Sequence, residues 1–174
     1  MTIVTVRREP LVGKIENGIM MLNDFGKIAD ECWRAIPEHF PSVELGAHMI
    51  MPNHVHGVIG IRADESASTV VVAQHVGATH CVAPTNHCVA PTPIITRPTG
   101  PKRGSLGAII GSFKSAVSYR INKEHNATGI WQRNYYEHII RDEKDLQRIT
   151  DYIETNPLRW DEDDENPIKI QPPM

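Results

Sequence analysis

The sequence predicts a single α+β domain. Short apolar and β-branched runs crowd the first third of the chain: Thr2 to Arg7, Leu11 to Ile15, Ile19 to Leu22, Val43 to Met51, and a run through Ile61. Three other stretches repeat apolar residues at helical spacing. The chain's 174 residues, 40% hydrophobic and 22% charged, suit one domain with its own core and room for an insertion.

The elements follow in chain order. Thr2 to Arg7 reads as a strand. Leu11 to Ile15 and Ile19 to Leu22 flank Glu16-Asn17-Gly18, and Asn-Gly is a strong hairpin signal because both residues tolerate positive φ. Phe25, Ile28, Ala29, Cys32, Trp33 and Ile36 then fall on one helical face, with Asn23 as N-cap and Pro37 closing the element. Val43 leads into an apolar run, Met49 to Ile61, that reads as the strand of the histidines, with Pro52 marking a bulge or bend just before them. Ser105 caps a helix to about Lys123, whose buried stripe is Leu106, Ile109, Ile110, Phe113, Val117 and Ile121. Tyr135 to Arg141 reads as extended. A last helix starts near Asp142 with Leu146, Ile149 and Ile153 as its apolar row, and Pro157 ends or distorts it.

Residues 63–101 read as an insertion, and residues 161–174 as an acidic flexible tail, leaving 1–160 as the domain. Within the insertion Thr79-His80-Cys81-Val82-Ala83-Pro84-Thr85 is repeated as Asn86-His87-Cys88-Val89-Ala90-Pro91-Thr92. Structural zinc motifs set their cysteines two to four residues apart inside a folded unit, so the paired His-Cys dipeptides read as a low-complexity loop. No apolar run approaches the roughly 20 residues of a membrane span, and the N-terminus lacks signal-peptide features. The odd count of cysteines (Cys32, Cys81, Cys88) without a paired motif favours a reduced, cytoplasmic setting.

A net charge of −3 conceals an asymmetry. Residues 102–141 carry seven Lys/Arg against two Glu, a net of +5, and residues 142–174 carry four against ten acidic residues, a net of −6. The overall balance excludes indiscriminate nucleic-acid binding. The basic segment can still track phosphates through Lys102, Arg103, Lys114, Arg120 and Lys123, or be only a solvated face.

Met51-Pro52-Asn53-His54-Val55-His56-Gly57 is the segment richest in chemistry. Strand residues at i and i+2 share a face about 7 Å apart, so two imidazoles can reach one ion while Val55 enters a core. On spacing alone the pair reads equally as a metal site or as two tolerated histidines. On the last helix Tyr152 and Asn156 lie one turn apart. Two imidazoles and a carboxamide oxygen supply three ligands and leave positions for phosphate and water. A tyrosine hydroxyl attacks a phosphodiester when a divalent cation withdraws charge from the phosphate. Tyrosine's ordinary pKa of about 10 calls for help in deprotonation, and the sequence names no helper. Tyr135 and Tyr136 are rival nucleophiles, although aromatic packing beside Trp131 is the commoner role.

IMPNHVHGVI, SFKSAVSYRIN and GIWQRNYYEHIIRDEKDLQRITDYIETNPLRW resemble, in that order, the HUH single-tyrosine transposases, and most closely their REP-associated branch. The likeness covers nearly the whole chain outside 63–101 and the acidic tail. It implies a ferredoxin-like HUH nuclease fold, a central antiparallel sheet with packed helices. It further implies His54 and His56 as metal-binding pair, Asn156 as third ligand and Tyr152 as nucleophile, with Mg²⁺ or Mn²⁺ as cofactor. Single-stranded DNA near hairpins is the implied partner, cleaved to a 5′-phosphotyrosine and a free 3′ hydroxyl by a monomer or homodimer acting on nucleoid DNA. Many relatives carry a longer, Arg-containing segment before the first strand, whereas this chain opens at Met1-Thr2-Ile3-Val4, implying a downstream start or a reduced DNA-contact surface. Two alternatives stay open beside the transferase: a catalytically silent hairpin-DNA binder, and a two-His metal hydrolase that uses water.

Overall fold

A computed structural model describes residues 1–62, 100–163 and 166. Its strands are β1 (Thr2–Val4), β2 (Gly13–Glu16), β3 (Ile19–Leu22), β4 (Val43–Met51) and β5 (His54–Ile61). Its α-helices are α1 (Asp24–Arg34), α2 (Ile36–His39), α3 (Leu106–His125) and α4 (Glu143–Thr155), with 3-10 turns at Val6–Arg8 and Asn156–Glu162. β1, β5 and β4 form one antiparallel sheet in that order, and β2 and β3 form a separate hairpin. The α+β expectation with a central antiparallel sheet holds. Among the described residues no helix is long and apolar enough to cross a membrane.

The local signals act as chemistry requires. Asn17 and Gly18 both take positive φ, 52° and 73°, and make the two-residue turn between β2 and β3. Asn23 Oδ1 accepts from Gly26 N–H at 3.0 Å, and Ser105 Oγ accepts from Ala108 N–H at 3.3 Å. Asp142 Oδ1 likewise accepts from Asp145 N–H at 2.8 Å, so each long helix starts on a side-chain cap.

The alternation of β1 and β5 sorts the two faces of the sheet. Ile3, Val55 and Ile50 lie in register and join Trp33 of α1 and Ile109, Phe113, Val117 and Ile121 of α3 in the main core. The neighbouring positions, Val4 opposite His54 and Thr2 opposite His56, face the other way. That second face is covered by α4, which buries Ile153, and by the 3-10 turn that follows.

Two expectations are corrected. Pro52 and Asn53 are neither bulge nor bend in one strand; they are the turn between β4 and β5, since Met51 pairs with His54. The irregularity of register lies instead between Leu45 and His48. Tyr135 to Arg141 is not a strand: only Trp131 and Tyr136 bridge to the outer edge of β1, which at three residues offers few partners. Between those bridges Gln132 N–H donates to Val4 O at 2.9 Å, while Lys114 Nζ donates to the carbonyls of Gln132 and Asn134, both at 2.7 Å. The 3-10 turn runs to Glu162, and buried Asn166 donates to Trp160 O at 2.9 Å. The tandem repeat lies outside the described residues.

Candidate metal and nucleophile site

The hairpin β4–β5 delivers both histidines to the face covered by α4. His54 is fully buried, His56 is 8% exposed, and their ring centroids lie 4.4 Å apart. The strand spacing therefore brings the two imidazoles together instead of leaving them as separate core residues.

Each ring is held through Nδ1. His54 Nδ1 lies 2.8 Å from Asn53 Oδ1, and His56 Nδ1 lies 2.9 Å from Thr2 Oγ1 on the adjacent strand. The other ring nitrogen of each, Nε2, is buried without a hydrogen-bond partner. Burial pushes both pKa values down. His54 falls to about 4, with the Arg8 charge adding to the effect. His56 falls to about 3, with His54 and the Met1 amino group adding and the Asp163 carboxylate opposing. Both rings are thus neutral at pH 7, the form that keeps a nitrogen lone pair available.

α4 supplies the facing wall. Tyr152 is 48% exposed, and its ring centroid is 5.3 Å from that of His56. One turn on, where the α-helix passes into the 3-10 turn, Asn156 is 2% exposed with Oδ1 buried and unpartnered. A buried polar atom without a partner costs on the order of 1–3 kcal/mol. Three of them, on His54, His56 and Asn156, sit on the elements that line one region. Among the described residues no three His, Cys, Asp or Glu side chains are grouped in a way that could hold a metal ion.

The cleft above is open, about 500 Å³, and lined by Thr2, His56, Tyr136, Tyr152, Asn156, Arg159, Glu162 and Asp163. Tyr136 reaches it because its backbone is pinned to Thr2 at 2.8 and 2.9 Å, so the rival tyrosine shares the cleft with Tyr152. Tyr135 does not: it lines a separate cleft with Ile61, Lys102 and Arg103. His138 is likewise elsewhere, 2.8 Å from Asp145 Oδ2.

The basic residues are not gathered at the histidines. α3 covers the opposite face of the sheet, Lys114 is engaged with backbone carbonyls, and Arg120 pairs with Glu31 at 2.7 Å and Glu124 at 3.2 Å. Sequence reasoning missed Thr2, Asn53, Arg159 and Asp163. Asn53 alone had a local signal, as the polar residue that opens the histidine strand.

No family profile matches the chain. An uncharacterized protein of Haemophilus influenzae is 37% identical over 166 residues, covering 93% of this chain and 81% of that protein. A putative REP-associated tyrosine transposase of the same organism is 49% identical over 37 residues, 21% of each chain. A solved REP-associated tyrosine transposase bound to a REP hairpin superposes with a TM-score of 0.54 at 16% identity. The match covers 91% of this chain but 64% of that one, so the chain spans less than two thirds of its length. The chain belongs to the family of the 37%-identical Haemophilus influenzae relative, and its fold is that of the REP-associated tyrosine transposases that its motifs resemble.

Proposed function

We propose that the chain cleaves and rejoins single-stranded DNA at hairpins, with Tyr152 as nucleophile. The observation that carries this reading is the set of three orphaned buried atoms, His54 Nε2, His56 Nε2 and Asn156 Oδ1, on the elements beside an exposed tyrosine. Those atoms would hold one divalent cation, for which imidazole favours Mn²⁺ over Mg²⁺. When bound, the cation would draw charge from the scissile phosphate and ease departure of the 3′ oxygen.

The chain's own part is positioning and attack. The Tyr152 phenolic oxygen forms the bond to phosphorus and gives up its proton, while the bond from phosphorus to the 3′ oxygen breaks and that oxygen takes up a proton. The products are a 5′-phosphotyrosine and a free 3′ hydroxyl, and attack by a second 3′ hydroxyl reverses the step. The solved neighbour, which is bound to a REP hairpin, supports the choice of a hairpin substrate.

The test is incubation of labelled single-stranded hairpin oligonucleotides with the protein and Mn²⁺. A denaturation-resistant protein–DNA band, lost in Tyr152→Phe, is the expected result. Cleavage without an adduct would select the water-using hydrolase, and binding without cleavage the silent hairpin binder.

A further inference from the structure

Of the two partners that hold the histidine rings, only one dictates where the ring proton sits. Thr2 offers His56 a hydroxyl, which can donate or accept, so that contact is compatible with either tautomer. Asn53 offers His54 a carbonyl oxygen, which can only accept. The orientation of that amide is set by its other end: Asn53 Nδ2 donates to the Arg8 carbonyl at 3.0 Å, so Oδ1 must be the atom facing the ring.

The Arg8 carbonyl is itself an unusual feature of the backbone. Arg7 and Arg8 are consecutive non-glycine residues at φ 53° and 58°, in the left-handed region that a side chain disfavours. Thr5 clamps this turn onto the hairpin: its N–H donates to Asn53 O at 2.8 Å, and its hydroxyl lies 2.7 Å from Glu9 O and 2.9 Å from Asn53 O. Thr5 and Asn53 are both fully buried.

We propose that Asn53 is a positioning residue: its amide, oriented by the Arg7–Arg8 turn, holds His54 as the Nδ1–H tautomer and keeps the Nε2 lone pair bare. Any use of that lone pair for a metal rests on the function proposed above. The tautomer itself does not. The alternative tautomer would set the ring's bare Nδ1 against the bare Asn53 oxygen, two acceptors at 2.8 Å, and would place the ring proton on the buried, partnerless Nε2.

Long-range ¹⁵N–¹H correlation spectra of the metal-free protein at neutral pH read the tautomer directly. His54 protonated at Nδ1 is expected in the wild type. Asn53→Ala should lose the fixed tautomer with the fold intact by circular dichroism, and should bind Mn²⁺ about 10–100-fold more weakly by titration, the usual scale for an outer partner of a metal-bound histidine. An Nε2–H tautomer or a mixture in the wild type overturns the proposal, whether or not any variant folds. So does an Asn53→Ala protein that keeps both the Nδ1–H spectrum and wild-type affinity. His54→Ala separates the two readings: undiminished Mn²⁺ affinity in that variant overturns the metal site, while the wild-type spectrum still decides the role of Asn53.

Discussion

The indole ring of Trp33 fills the place that a β-carbon would take on Gly57. Gly57 follows His56 directly and points to the opposite face of the sheet, where Trp33 is packed edge-on against Phe113 and stacked on His48. The glycine that closes the His-Val-His-Gly run is therefore required by packing and not by backbone conformation. Gly57→Ala should lower stability by about 1–3 kcal/mol through overpacking. That corresponds to a fall of several degrees in melting temperature for a chain of this size. An unchanged melt would show that Trp33 moves aside at little cost.

This relationship also marks what was legible in the sequence. Helix faces and caps were readable because they depend on spacing within one element: Asn23 and Ser105 cap as their positions suggest, and the last helix starts at Asp142. The His54–His56 pair was readable for the same reason. Contacts between distant parts of the chain were not. Nothing near Thr2 announces His56, and nothing near Lys114 announces the carbonyls of Gln132 and Asn134. Asn156 was readable as well, one helical turn from Tyr152, and what the structure adds is its burial with an unpartnered Oδ1.

Because Tyr136 and Tyr152 line the same cleft, geometry leaves two hydroxyls to compare. Tyr152 has its ring against His56, and Asn156 lies one turn away on its helix. Tyr136→Phe is therefore expected to keep the covalent adduct, and Tyr152→Phe to lose it while still binding DNA. Loss of a single hydroxyl costs on the order of 1 kcal/mol of stability, so both variants should fold. Peptide mapping of the wild-type adduct gives the independent check, and a phosphotyrosine at Tyr136 would reverse the assignment.

Four of the five basic candidates divide by their partners. Lys114 and Arg120 are engaged within the protein, whereas Lys102 and Arg103 are exposed on a separate cleft beside Ile61 and Arg62. Joint replacement of Lys102 and Arg103 by Ala should reduce the salt dependence of DNA binding by about 0.7 in slope for each phosphate that is no longer neutralised. Lys114→Ala should act chiefly on stability, because it frees two carbonyls that hold the 132–134 segment. Binding isotherms across a salt series distinguish these effects; an unaltered slope in the Lys102/Arg103 variant would leave the pair as solvated surface.

On the face away from the histidine site, Asp30 accepts from Arg34 Nε at 2.8 Å and lies 2.9 Å from His48 Nε2. Partial burial alone would raise the carboxyl pKa, but the hydrogen bonds and charges of His48 and Arg34 outweigh it and hold the group below its ordinary value. With the folded pKa depressed, the unfolded chain takes up the proton first as pH falls. The stabilisation is present above the unfolded value of about 3.9 and is lost as pH drops through the folded one. Asp30→Asn should then be less stable than wild type at pH 7, and the gap should narrow below about pH 4. Urea unfolding of both proteins at a series of pH values reads that gap. If the two curves stay parallel from neutral pH into acid, the carboxylate contributes nothing to the pH dependence, and the contact between α1 and β4 rests on the Trp33–His48 stack instead.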